Sequence, residues 1–212
     1  CRNPGLALPL IALQYHEVKI ILNHNFSTSI FTTFTHNKLW VDYIYLDTDE
    51  RRRFAQVSHE YLIEQVQENI LTSESSSKLN FNHPVKELIW CVNSTTGQNS
   101  PVSTTSDVTY QLKLNGHDRF AARDYRYFTR TQVYKYHTGY GSLENNDSIA
   151  VYSFALSPEK HQPSGSCNFS RINTAILNCD SVDAPTSPIN VYAINYNVLR
   201  IMNGMGGLGY SN

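Results

Sequence analysis

The sequence predicts an all-β fold, an eight-stranded antiparallel sandwich with short helical insertions, and three observations carry that prediction. Apolar and polar residues alternate with a period of two in eight separate stretches, the pattern of strands with one face covered. Linkers rich in Ser, Thr, Asn and Pro divide them, at 72–80, 93–106 and 181–188. The 14 tyrosines suit half-buried strand surfaces, where the ring is covered and the hydroxyl stays wet. Many short strands with few helices close into a sandwich or barrel, and eight is the strand number of a jelly roll. Alternation alone leaves an immunoglobulin-like sandwich equally open.

The elements follow in order. Residues 15–22 set Val18, Ile20 and Leu22 on one face, with Glu17 and Lys19 opposite. Residues 39–46 are apolar or aromatic on both faces apart from Asp42, as expected of a strand covered on two sides. Along 59–67 the glutamates Glu60 and Glu64, continued by Glu68, mark one exposed face. Leu88, Trp90 and Val92 share a face of 85–92, and Tyr110, Leu112 and Leu114 share one of 108–114. Two more strands are expected at 148–156 and 190–202, with a less regular one at 167–177. Asp47 and Glu50 have capping-box spacing and open a helix through Arg51, Arg52, Arg53 and Phe54. A second helical insertion is expected near 118–131, where a strand is the alternative.

Bulk properties exclude several function classes. With 17 basic and 18 acidic residues the net charge is -1, which argues against a general polyanion binder. Cys1, Cys91, Cys167 and Cys179 are scattered without metal-ligand spacing, so they read as reduced, mostly buried thiols. The richest apolar run, 6–13, is far shorter than the ~20 residues of a membrane span. The chain starts without Met and without a signal-like core, and 2–11 reads as chain already in progress, hence as a fragment.

Convergent chemistry is sparse. The eight histidines stand singly, and His16-Glu17 and His59-Glu60 place their side chains on opposite strand faces, which defeats shared metal ligation. Ser164-Gly165-Ser166-Cys167 lacks the nucleophile-elbow pattern and reads as a turn. The glycine-rich ending from Gly204 to Gly209 follows a strand with no helix behind it, so it is no phosphate cradle. No catalytic residue, metal ligand or cofactor is therefore expected. Arg119, Arg123, Arg126 and Arg130, interleaved with Phe120, Tyr125, Tyr127 and Phe128, have the composition of a single-strand nucleic-acid platform. The favoured reading is different: the arginines pair with Asp118, Asp124 and neighbouring subunits while Phe120 and Phe128 anchor the segment. Glycosylation sequons occur at Asn25, Asn93, Asn146 and Asn168, with Asn93 and Asn146 in expected loops.

Several stretches together resemble the major capsid proteins of nucleocytoplasmic large DNA viruses, of the mimivirus-like, phycodnavirus-like and iridovirus-like kinds. They are 5–18, beginning Gly-Leu-Ala-Leu-Pro-Leu; 39–54, with Trp40 and the run Asp47 to Arg53; 115–128; 152–172, the most specific; and the ending 203–212. They run in family order over nearly the whole chain. The resemblance implies the second half of a double jelly roll, with 1–14 as a junction and 15–212 as the C-terminal jelly roll. It implies a non-enzymatic shell subunit that forms homotrimers of pseudo-hexagonal outline in an icosahedral virion. Neighbouring capsomers and minor capsid proteins would be its partners, with no specific nucleic acid, and assembly would take place in the host cytoplasm. The alternative from another class is a carbohydrate- or receptor-binding jelly-roll module.

Overall fold

A computed structural model describes residues 3–22, 38–71, 76–92, 108–139, 147, 149–180 and 188–211. The strands are β1 (His59–Leu71), β2 (Ser76–Leu79), β3 (Pro84–Val92), β4 (Thr109–Leu114), β5 (His117–Asp124), β6 (Ile149–Ser153), β7 (Cys167–Asn168), β8 (Ala175–Asp180), β9 (Ile189–Met202) and β10 (Met205–Leu208). One sheet runs β1-β9-β3-β6, with β10 on β9 and the short β7 on β3; the other runs β2-β8-β4-β5. The chain passes repeatedly between the two sheets, as in a jelly roll, while β4 and β5, and β9 and β10, stay together in one sheet. The eight main strands all lie between His59 and Met202.

Among the described residues eight strands form the main rows of the two sheets, as the sequence reading expected, with β7 and β10 added to them, but the membership of the eight differs. Among the described residues, 15–22 and 39–46 form no strand, with Trp40 87% and Tyr45 91% exposed. Their places are taken by β2, inside the expected 72–80 linker, and by β5, inside the expected 118–131 helix. The helix expectation holds for the second half of that stretch: a π-helical turn covers Tyr127–Thr131 and leads into α2, Gln132–Tyr136. The irregular 167–177 stretch divides into β7, a 3-10 turn at Phe169–Arg171, and β8.

Two Asn-Gly pairs explain β5 and β10, two of the strands that alternation missed. Asn115 and Gly116 both have positive φ, at 51° and 82°, and join Leu114 of β4 to His117 of β5 in a two-residue hairpin. Such primed turns match the twist of the flanking strands, and Asn-Gly is their commonest sequence. Asn203 and Gly204 repeat this at 53° and 80°, so the glycine-rich ending folds back as β10 instead of simply ending.

The chain divides into two compact units, residues 1–61 with 198–209, and 62–197 with 210–212. In the first, α1 (Thr48–Gln56) starts on the expected capping box of Asp47 and Glu50 and buries no residue. Backbone bonds from Tyr15 N to Gly204 O and from Gly209 N to Val198 O tie its parts together.

The second unit holds the core. Leu88, Trp90 and Val92 of β3 and Val191 and Ala193 of β9 meet Tyr110 and Leu112 of β4 and Leu177 and Cys179 of β8. Phe128, fully buried, packs its ring 5.1 Å from Trp90. Aromatic contacts then continue from Phe128 through Phe120, Tyr152, Phe154 and Phe169 to Phe81, with ring centroids 4.7–6.1 Å apart. Offset and edge-on pairs at such spacings add to simple area burial. Cys91, Cys167 and Cys179 are free thiols whose pKa burial pushes up, as expected of inert cysteines.

Candidate functional site

The arginine segment is divided by the fold into two parts with different supports. Arg119 and Arg123 stand on β5, an edge strand, and Arg126 and Arg130 lie in the turn and π-helical stretch after it; all four are exposed. Three lie on aromatic rings: Arg119 over Phe154 at 5.8 Å, Arg123 over Tyr127 at 4.7 Å and Arg126 over Tyr125 at 5.1 Å. A guanidinium laid on a ring in this way loses rotamer freedom while staying charged. The expected pairings with Asp118 and Asp124 are realised only in part. Asp124 takes Arg126 at 4.0 Å and accepts its backbone N–H at 2.8 Å, whereas Asp118 faces Lys113 at 3.9 Å.

Arg130 is held differently. Its Nε and Nη2 donate to both carboxylate oxygens of Asp147, the shortest at 2.8 Å, and Asp147 is buried. The hydrogen bonds to Asp147, followed by its charge, raise the Arg130 pKa further above its ordinary range. Bidentate pairing of this kind fixes geometry as well as charge. Phe128 is buried and Phe120 half-buried, so the expected anchoring of this segment by the two phenylalanines is realised.

A second cluster was not foreseen. Lys86 and Glu87 are buried side by side in β3, in the middle of an otherwise apolar strand. A register shift between Val85 and Glu87, against Asn195 and Ile194 of β9, marks a bulge at this point. Lys86 Nζ donates to Glu64 Oε1 of β1 and to the Pro158 carbonyl, both at 2.7 Å, and lies 5.9 Å from the centroid of the Tyr196 ring on β9. Glu87 Oε2 stands 3.1 Å from His137 Nε2, an ion-pair distance without the alignment of a hydrogen bond. Burial raises the Glu87 pKa, and the charges of His137 and Lys86 oppose the rise. The adjacent Lys and Glu amid apolar residues were a readable signal, because such residues are rarely buried unless paired. Their partners come from β1, from the α2 terminus and from the segment after β6, which no local pattern reveals.

Nothing in these two clusters assembles a reaction centre. Among the described residues, no three metal-capable side chains converge, and no helix is long and apolar enough to cross a membrane. Asn93 and Asn146 lie outside the described residues, as do Asn25 and Cys1. Asn168 is described, and its side chain accepts the Ser170 N–H at 3.1 Å.

The fold is thus a jelly roll that carries exposed, ring-supported arginines and paired buried charges. The family model described as large eukaryotic DNA virus major capsid protein matches residues 50–207, and the chain belongs to that family. It is similar to the major capsid protein of Pyramimonas orientalis virus, with 52% identity across the whole chain and 59% of the relative. It is also similar to that of Paramecium bursaria Chlorella virus 1, with 41% identity, all of this chain and 64% of the relative. A quasi-atomic structure of the PBCV-1 virus capsid superposes with a TM-score of 0.74 at 35% identity, over all of this chain and 68% of that one. The chain thus spans about six-tenths of the length of these curated relatives.

Proposed function

We propose that this chain builds a virus shell without catalysing a reaction. It would form part of a major capsid protein whose copies associate as homotrimers into pseudo-hexagonal capsomers of an icosahedral virion. The observation that carries this reading is the family match over 50–207, which takes in all eight jelly-roll strands. A sandwich of two hydrogen-bonded sheets leaves few free edges, and a shell made by symmetric contacts needs such a stiff unit. Neighbouring capsomers and minor capsid proteins are the further partners, and assembly belongs to the host cytoplasm. Arg119, Arg123 and Arg126 are the proposed intersubunit contacts, with Arg130 anchoring its own segment to Asp147. Asn93 and Asn146 are proposed carbohydrate sites, checked by the intact mass of protein purified from virions.

The domain boundary belongs to this proposal too. Residues 1–14 are proposed as a junction and 15–212 as the C-terminal jelly roll, whose strands among the described residues begin at His59. In the longer polypeptide, the apolar residues of 16–22 and 38–46 then meet residues outside these 212. Light scattering of the full-length product is expected to give three times the protomer mass at micromolar concentration. A strictly monomeric full-length protein that binds glycans would overturn the shell role in favour of a binding module.

A further inference from the structure

His137 closes helix α2, its backbone N–H reaching the Val133 carbonyl at 2.9 Å. Its ring stands between two carboxylates borne by different elements. Nε2 is 3.1 Å from Glu87 Oε2 on β3, and Nδ1 is 3.3 Å from Glu159 Oε1 in the segment that follows β6. A neutral imidazole has one N–H and one lone pair, so it must turn a lone pair toward one of these oxygens. Only the imidazolium carries a proton on both nitrogens and a positive charge between the two carboxylates. The side chain of Glu87 is 5% exposed and that of His137 19%, so that contact is weakly screened, whereas Glu159, at 37%, is the wetter and weaker side of the ring.

The charges around the ring come from several elements. Lys86 on β3 sits beside Glu87 and is already bound to Glu64 of β1 and the Pro158 carbonyl. Tyr196 of β9 lies near Lys86, and on α2 itself Lys135 is turned to the Tyr136 ring at 5.2 Å. The cluster therefore sets three carboxylates, Glu64, Glu87 and Glu159, against one ammonium, Lys86. Histidine is the side chain whose charge ordinarily changes between about pH 5 and 8.

We propose that His137 is a protonation-dependent clasp: as imidazolium it holds the Glu159 segment and the end of α2 to β3, and on losing its proton it lets the tip of that segment go. The base of the segment is secured independently, by Phe154 N and Ala155 N on the Lys86 carbonyl and by Ser157 N on Ser164 Oγ. Release is confined to the region around Glu159, Lys160 and the exposed His161, and to Thr138, whose N–H donates to Glu159 Oε1 at 2.9 Å. The Thr138 amide is thus a direct reporter.

The test is amide exchange of Thr138 by NMR across about pH 5.5 to 8, expressed as a protection factor so that intrinsic exchange is removed. The His137 ring is titrated in parallel. Protection is expected to fall several-fold as the His137 ring deprotonates. His137→Gln should leave Thr138 at the low level throughout, and Glu159→Gln, which keeps the acceptor but not the charge, should blunt the pH dependence. His161→Gln should preserve it. Flat protection in the unaltered chain, or a dependence that survives His137→Gln or vanishes in His161→Gln, would overturn the clasp.

Discussion

Single side chains in this protein divide into those whose loss leaves a hole and those whose charge has a pH-dependent cost. Trp90, almost fully buried, meets Tyr110 and Phe128 at ring separations of 5.4 and 5.1 Å, so its truncation opens a large cavity in the core. Trp90→Ala should therefore cost about 3–5 kcal/mol, measured from urea midpoints. Glu87 behaves differently. Burial raises its folded pKa above the unfolded value, so between the two values the folded state binds more protons. Its contribution to stability is full below that window and is lost as pH rises through it. Glu87→Gln cannot titrate, so the variant should gain stability relative to the parent as pH is raised from about 4.5 through this window. A stability difference that stays constant with pH would remove Glu87 as the source.

At the scale of elements, turn chemistry decides which segments pair. Gly116 at φ 82° has open space where a Cβ would project, so Gly116→Ala meets only the backbone penalty, roughly 1–3 kcal/mol. Gly165 at φ 146° is worse placed, because its Cβ would fall 2.8 Å from the Phe154 carbonyl oxygen and 3.3 Å from Ala155 Cα. Gly165→Ala should therefore lower the thermal midpoint more than Gly116→Ala; the reverse order would show that the Asn-Gly hairpin governs stability more than the close approach at Phe154. The capping box on α1 was legible because its signal is local, a side chain and a backbone N–H three residues apart. The Asn115-Gly116 and Asn203-Gly204 turns were equally local, and reading them would have placed β5 and β10.

For the whole molecule, the two tryptophans are reporters of opposite environments: Trp90 is 1% exposed and Trp40 87%. In Trp90→Phe protein, fluorescence from Trp40 should be readily quenched by acrylamide in the 212-residue chain and protected in the full-length product. Persistent quenching in the full-length product would sink the proposal that residues 38–46 meet the remainder of the polypeptide. Arg119→Ala with Arg123→Ala should leave the unfolding midpoint nearly unchanged, since both side chains are exposed, while weakening association of the full-length protein. Unaltered association would move the intersubunit contact elsewhere.

What the amino-acid order determined by itself was the all-β class, the strand number, the α1 cap, the faces of β3 and β4, and the family. These rest on period-two burial, short-range hydrogen bonds and ordered blocks of identity, all properties of neighbouring residues. Tertiary structure alone decided which eight segments pair. Residues 15–22 and 39–46 carry the alternation or apolar run of strands, yet a strand exists only where another chain segment offers a run of hydrogen-bonding partners, and among the described residues neither stretch forms a ladder. The same reason hid the charges of β3: Lys86 and Glu87 become tolerable inside only when Glu64, Pro158 and His137, distant along the chain, are brought to within hydrogen-bonding or ion-pair range.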